Sequence, residues 1–201
     1  RLSHVTPVVL GTGDSRRILS NAGDVVQAFD PVDGKRLWSV YSKGEGVTPS
    51  LVTGDGLIFT ASGFEEPTIR AIRPGGRGDV TKTHIAWTYG KSTPTRPSQL
   101  IVGDSLYMVN DKGVVSCLDA KTGEPTWTQR MGGRHTSSPL YADGRIYFVD
   151  EDGTSRVVEA NPKQFRLLAE NKLAGGCMAS PAVVGDALII RTKTHLYRIE
   201  H

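Results

Sequence analysis

Residues 96–130 read RPSQLIVGDSLYMVNDKGVVSCLDAKTGEPTWTQR. The stretch holds four short apolar runs: Ser98 to Val102, Ser105 to Val109, Val114 to Leu118 and Thr126 to Arg130. Each is too short for an ordinary helix and each is bounded by turn residues. Gly103-Asp104-Ser105 separates the first two runs, Asp111-Lys112-Gly113 the next two, and Asp119 to Gly123 the last two. Short strands divided by Gly, Asn and Asp turns form hairpins, so the stretch predicts a four-stranded antiparallel meander, strands A to D.

The rest of the chain repeats this unit. Val5-Thr6-Pro7, Val47-Thr48-Pro49, Thr95-Arg96-Pro97, Ser137-Ser138-Pro139 and Ala179-Ser180-Pro181 each place a proline at the expected start of strand A. Their spacings are 42, 48, 42 and 42. Proline is tolerated at the first residue of a strand, where no ladder donor is lost. A fixed period in the forties with four strands per unit predicts an all-β propeller. Its blades fall near residues 6–42, 47–91, 95–131, 137–173 and 179–201, in one array over the whole chain. Four blades read as complete. The fifth has no strand D and reads as partial.

The long spacing comes from two enlargements in the second blade: Gly63 to Pro67 between strands B and C, and Arg73 to Thr83 between C and D. Loops absorb insertions at little cost, so both read as drift, with a functional role as the alternative. Trp38, Trp87 and Trp127 share one place in strand D of the first three blades. Recurrence at one place argues for packing between neighbouring blades, with ligand stacking as the alternative. In the fourth blade, Leu167 or Leu168 stands where the tryptophan would be.

A chain of 201 residues with 38% hydrophobic and 22% charged residues is a folded protein rather than a disordered one. The formal charge is only +3 and no Lys/Arg block is present, so there is no nucleic-acid footprint. No apolar run approaches the length of a membrane span. The two cysteines, Cys117 and Cys177, form no C-x-x-C pair and no zinc spacing with histidine. Cys117 lies in a strand-C pattern and reads as a small core residue.

The run Leu118-Asp119-Ala120-Lys121-Thr122-Gly123-Glu124, followed by Trp127, is echoed by Phe29-Asp30-Pro31-Val32-Asp33-Gly34-Lys35, followed by Trp38. This pattern resembles the PQQ-like propeller repeat. That repeat builds quinoprotein alcohol dehydrogenases and also non-catalytic relatives that serve outer-membrane β-barrel assembly. The resemblance covers nearly the whole chain, strongest in the first and third repeats and faintest in the fourth and fifth. Relatives of this kind have seven or eight blades. The resemblance therefore implies the C-terminal portion of a larger propeller: a natural fragment, a processed product or a designed chain. It also implies a periplasmic or extracellular location. Quinoprotein dehydrogenases hold their quinone over a tryptophan floor beneath a disulfide of adjacent cysteines, beside a calcium ligated by Glu, Asn and Asp. This chain has no adjacent cysteines, and its tryptophans all occupy the outer-strand place. No PQQ, calcium or other cofactor is expected, and no catalytic, cofactor-binding or metal residue carries over.

In a propeller strand A is innermost, and the D–A and B–C loops share one face. The residues before each strand-A proline then line the mouth of the channel. Read in register, that rim offers His4, Glu45, Arg134, His135 and Cys177, with Arg96 nearby. A mixed ring of His, Arg and Glu suits an anionic ligand or a peptide; the plain alternative is a solvated loop edge. Asp150-Glu151-Asp152-Gly153 offers three carboxylates to a calcium ion, but reads first as a hairpin turn. Gly11-Thr12-Gly13-Asp14-Ser15 faintly resembles a phosphate loop and reads as the A–B turn. His84 and His195 fall in strand patterns with no Ser-His-Asp order.

The reading that follows is a non-catalytic propeller acting as a protein-binding or scaffolding platform. The alternatives are a fragment of a quinoprotein dehydrogenase with its active site elsewhere, and a carbohydrate- or peptide-binding propeller. The partial last blade predicts an open sheet edge. The expectation is that it pairs with another copy of the chain or with a part of the protein absent here.

Overall fold

A computed structural model describes residues 3–43, 47–64 and 66–200. The first blade is β1 (Val8–Leu10), β2 (Arg17–Asn21), β3 (Val25–Phe29) and β4 (Arg36–Tyr41). The second is β5 (Val52–Gly54), β6 (Leu57–Ala61), β7 (Ile69–Ile72) and β9 (Ile85–Tyr89), with β8 (Gly78–Asp79) and one helical turn (Thr81–His84) inserted before β9. The third is β10 (Leu100–Val102), β11 (Ser105–Val109), β12 (Val114–Asp119) and β13 (Pro125–Arg130). The fourth is β14 (Leu140–Ala142), β15 (Arg145–Val149), β16 (Thr154–Glu159) and β17 (Leu167–Lys172). The fifth has three strands: β18 (Ala182–Val184), β19 (Ala187–Arg191) and β20 (Leu196–Ile199). Within each blade, consecutive strands pair antiparallel in the predicted A-B-C-D order.

The core is a series of layers between blades. Successive side chains of a strand point to opposite faces, so each inner strand feeds two layers. On β6, Ile58 joins the layer between blades one and two, while Phe59 and Ala61 join the next. On β11, Leu106 and Met108 face blade two, and Tyr107 and Val109 face blade four. All five residues of β11 are accordingly buried, as expected of a strand covered on both sides. The layer between blades four and five is thin, with Val149, Cys177 and Ile190 as its buried members.

A β-bulge recurs between strands C and D, at Ala28/Phe29, Ala71/Ile72, Cys117/Leu118 and Val157/Val158. A bulge bends its strand and re-aims the side chains beside it. Here the residue pairs next to it are Ala28 with Trp38, Ala71 with Trp87 and Cys117 with Trp127. The equivalent pair in blade four is Val157 with Ala169. The tryptophan position in that blade is therefore held by Ala169, not by Leu167 or Leu168. The bulge is common to all four blades; the C–D connection of blade four is two residues longer than that of blade three, from Val158 to Leu167 against Leu118 to Pro125, and this shifts the count.

The proline marker also needs correction. Pro7, Pro139 and Pro181 directly precede strand A, but two residues separate Pro49 and Pro97 from theirs. The position that keeps register is a hydroxyl residue two places before the strand: Thr6, Ser50, Ser98, Ser138 and Ser180. The Ser50 backbone N–H donates to Ser98 Oγ, Ser98 N–H to Ser138 Oγ and Ser138 N–H to Ser180 Oγ, each at 2.9 Å. These rungs tie the inner ends of blades two to five. A proline needs only a place without a ladder partner, so it can slide; a rung donor and acceptor cannot.

The insertion in blade two is architecture rather than loop drift. β8 pairs in parallel with β4 of blade one, at Trp38 with Gly78 and Ser39 with Asp79. Val80 N–H donates to Ser39 O, and Tyr41 N–H to Thr81 Oγ1, both at 2.9 Å. The outer edge of blade one is thereby covered, which removes one template for unwanted strand pairing.

Candidate functional site

The D–A loops and B–C turns do share one face, and between blades two, three and four they enclose an open groove of about 690 Å³. Its walls include Thr93, Thr95, Arg96, Asp111, Lys112 and Arg134. One arrangement sets the geometry twice. An acid at the second place of the B–C turn accepts a hydrogen bond from a threonine hydroxyl in the preceding D–A loop. Thr95 Oγ1 donates to Asp111 at 2.8 Å, and Thr136 Oγ1 donates to Glu151 at 2.6 Å. Thr95 N–H adds a second bond to Asp111, at 2.8 Å. Both loops are held at the height of the strand ends, and Arg96 spans them. Its guanidinium lies 3.8 Å from Asp111 and 3.8 Å from Glu151. Arg134 approaches Glu151 from the other side at 3.5 Å.

These are loose, solvated pairs worth roughly 0–1 kcal/mol each, so they orient the arginines more than they stabilise the fold. Arg134 remains 74% exposed. Lys112 is exposed and has no carboxylate partner among the described residues. The groove therefore offers three cations against two carboxylates already committed to the rim.

The residues expected at the rim divide sharply. Arg96 and Arg134 are brought together. His4 is exposed and donates its backbone N–H to Val47 O at 2.9 Å, away from the groove lining. Glu45 lies outside the described residues. His135 and Cys177 are corrections: both side chains are buried rather than displayed. The two D–A loops that carry them fold inward, because the backbone of each bonds the B–C turn of the blade before it. His135 N–H donates to Asp111 O and Cys177 N–H to Glu151 O.

His135 Nε2 lies 3.1 Å from Gly132 O, while Nδ1 is buried with no partner. Burial pushes this imidazole below its ordinary pKa of 6.5, partly opposed by the Gly132 carbonyl. The neutral form is thus the folded one. Its contribution to stability is full above the ordinary value and is eroded as pH falls below it. Cys177 Sγ donates to Arg191 O at 3.1 Å, and burial pushes its thiol up, as it does that of Cys117. Both cysteines are unpaired, buried and inert.

The acidic turn is occupied by its own chain. Asp150 Oδ1 accepts the N–H groups of Asp152 and Thr154, and its Oδ2 pairs with Arg156 at 3.0 Å. Among the described residues no group of three or more His, Cys, Asp or Glu side chains is placed to hold a metal ion. Residues 11–15 close an A–B turn on themselves through Ser15 and Thr12. His84 and His195 each meet a neighbouring threonine hydroxyl at 2.8 Å. Sequence reasoning missed Asp111 and Glu151 as rim organisers; the repeated acid before the turn glycine, with a threonine ahead of strand A, is the signal that finds them.

The tryptophans stand between blades. Trp87 Nε1–H donates to Ala120 O at 3.0 Å, in the C–D turn of blade three. Trp127 Nε1–H donates to Asn161 O at 2.9 Å and meets Phe165 edge-on, ring centroids 5.6 Å apart. Trp38 is buried in the layer between blades one and two. None forms a floor for a quinone, and the cysteines lie apart, so the residues present do not fit PQQ with calcium.

The fold is that of a PQQ-like β-propeller, with no quinoprotein site among the described residues. The family described as outer membrane protein assembly factor BamB matches residues 21–200, and the chain belongs to it. The BamB protein of Bordetella pertussis is 22% identical over 92% of this chain, and that of Legionella pneumophila 23% over 61%. The matches span 48% and 32% of those proteins, so the chain corresponds to about half or less of their length. In fold it resembles the crystal structure of BamB from Moraxella catarrhalis, with a TM-score of 0.72 at 16% identity over 98% of this chain and 59% of that one. The computationally designed Ika8 protein superposes equally, with a TM-score of 0.72 at 13% identity over 95% of this chain and 57% of that one.

Proposed function

We propose that the chain serves outer-membrane protein assembly in the periplasm, as a non-catalytic propeller that docks a protein partner on the groove at Arg96, Lys112 and Arg134. The observation that carries this is the charge balance of the rim. Asp111 and Glu151 are tied to threonines, while Lys112 has no carboxylate partner among the described residues and Arg134, loosely paired with Glu151, keeps 74% of its side chain exposed to a partner. The fitting partner segment is acidic and narrow enough to enter between two D–A loops. Rim charges of this kind act mainly on the rate of encounter and its salt dependence.

The test is charge reversal. Lys112→Glu with Arg134→Glu, in the full-length protein, should lower the level of folded outer-membrane proteins and abolish photo-cross-links from position 112. Undiminished assembly, or cross-links that arise only from the opposite face of the propeller, would falsify the proposal.

Strand pairing belongs to the same reading. β20 has one neighbour, β19, among the described strands, and exposes Leu196 and Ile199. Such an edge accepts a strand from another copy or from elsewhere in the protein. A monodisperse monomer by light scattering, with nothing added to β20, overturns that part.

A further inference from the structure

Two D–A loops of the groove face are built alike and differ in one side chain. The loop entering blade four reads Gly132-Gly133-Arg134-His135, and the loop entering blade five reads Ala174-Gly175-Gly176-Cys177. His135 and Cys177 hold the same place, ahead of the rung serines Ser138 and Ser180. Each is buried, and each gives its backbone N–H to the B–C turn of the blade before it, His135 to Asp111 O at 3.2 Å and Cys177 to Glu151 O at 3.1 Å. The difference is chemical. The Cys177 thiol, pushed up by burial, stays neutral throughout the acid range, whereas an imidazole can take up a proton there.

The surroundings of His135 suit only the neutral ring. Nε2–H donates to Gly132 O at 3.1 Å, and Nδ1 is buried with no partner. The charged groups that face the ring are Asp150 and Arg156 of blade four. Both are committed to each other: Asp150 Oδ2 pairs with Arg156 at 3.0 Å, and its Oδ1 accepts the N–H groups of Asp152 and Thr154. Val149 O, also on this side of the ring, already accepts the Ser137 hydroxyl at 2.6 Å. On the two B–C turns beside the loop, the carboxylates of Asp111 and Glu151 are held by Thr95 and Thr136, and Lys112 and Asp152 are exposed. A second cation beside Arg156 therefore has no counter-ion of its own, and burying an unpaired charge is strongly unfavourable.

The same loop carries one wall of the groove. Thr136 Oγ1 donates to Glu151 at 2.6 Å, Arg134 stands 3.5 Å from the same carboxylate, and Glu151 N–H donates to Arg134 O at 2.7 Å. Gly132 and Gly133, with φ of +85° and +76°, give the base of the loop two residues that can change conformation at little steric cost.

We infer that the loop of residues 132–137 is an acid-released clasp: when His135 takes up a proton its ring leaves the interior, Arg134 and Thr136 leave Glu151, and the groove loses its blade-four wall. The consequence, loss of an acidic partner at low pH, rests on the docking reading above; the motion itself does not. Burial holds the imidazole of the closed loop below its ordinary 6.5, and an expelled ring returns to that value. The closed loop is thus fully favoured above pH 6.5, and below it the open loop gains up to about a factor of ten per pH unit until the closed-loop value is passed.

The ¹⁵N-labelled protein, titrated from about pH 7.5 to about pH 5, reads this directly, because ordinary Asp and Glu side chains stay largely ionised over that range. The His135 ring signal and the amide peaks of Gly133, Arg134 and Thr136 should move together with one midpoint below 6.5. The amides of Gly176 and Cys177, in the loop without a histidine, should stay in place. His135→Gln keeps a donor for Gly132 O but cannot charge, and should abolish the movement. The inference fails if the ring titrates while the loop amides stay, if the ring does not titrate, or if the loop moves equally in His135→Gln, which would assign the response to the Glu151 carboxylate. It fails also if all amides shift at one midpoint, which is global unfolding. Photo-cross-links from position 112 separate this inference from the docking reading. Their loss at about pH 5.5 in the native protein but not in His135→Gln supports the clasp, and their persistence in both overturns its control of docking. Their absence already at neutral pH would sink the docking reading and leave the loop titration standing.

Discussion

Two kinds of blade junction coexist in this chain. Between blades two and three, and again between three and four, a tryptophan of strand D reaches the following blade and donates to its C–D turn. Serine rungs tie the inner ends. Between blades one and two neither latch forms: Trp38 has no acceptor and Thr6 makes no rung among the described residues. Yet this junction has an apolar layer comparable to those of the latched junctions, including Leu19, Val26, Leu51, Ile58 and Ile72, with Val80 of the insertion added to it. β8 supplies backbone pairing to β4 in place of the indole latch. The contrast separates two contributions. Apolar burial holds blades together and tolerates replacement of a turn. The latch fixes how one blade sits on the next, and it needs a short C–D turn.

The largest expected effect is on a latched junction. Trp127→Ala removes the contacts with Tyr107 and Phe165 as well as the bond to Asn161. It should cost about 3–5 kcal/mol, the usual range for truncating a large aromatic in a core. Urea unfolding followed by circular dichroism measures it. A loss below 1 kcal/mol would mean that the tryptophan is not a structural element of this junction.

Next comes the turn on which a latch rests. Gly123 has φ +75°, and a Cβ there would stand 2.5 Å from the ring of Trp87. Gly34 holds the same place in blade one with φ +71°, and a Cβ there meets nothing within 4 Å. Gly34→Ala isolates the backbone strain, about 1 kcal/mol. Gly123→Ala adds the clash with a rigid ring and should cost about 2–3 kcal/mol. Equal losses in the two variants would break the comparison, because the covering indole would then contribute nothing.

Much of this was legible in the sequence because the deciding signals are local. Alternation of apolar residues and Asp/Gly turns give the strands of every blade, and three tryptophans at one place give the junctions. What stayed hidden depends on contacts across blades. Nothing in Pro74 to Gly78 announces a strand that pairs with Trp38 and Ser39, since Gly78–Asp79 is too short to show a period. His135 reads as a rim residue from its place before a proline, but the bond from its backbone to Asp111 turns the side chain inward. The serine rung was masked by the nearby proline, which is more conspicuous and less constrained. Of the candidate site, Arg96 and Arg134 are legible as charges at a loop face, whereas Asp111 and Glu151 look like ordinary turn residues in the sequence.

The smallest effect is also the most direct test of the comparison. Trp87→Phe keeps most of the ring but leaves Ala120 O without its donor and should cost about 1–2 kcal/mol. Trp38→Phe removes an N–H that has no acceptor, beside a cavity that already exists. It should cost about 0–0.5 kcal/mol, because no hydrogen bond within the protein is lost. The two substitutions are chemically identical, so the difference in their urea midpoints reports the latch alone. Midpoints that shift equally would mean that the junction between blades one and two is latched after all, by an acceptor within reach of Trp38 in solution.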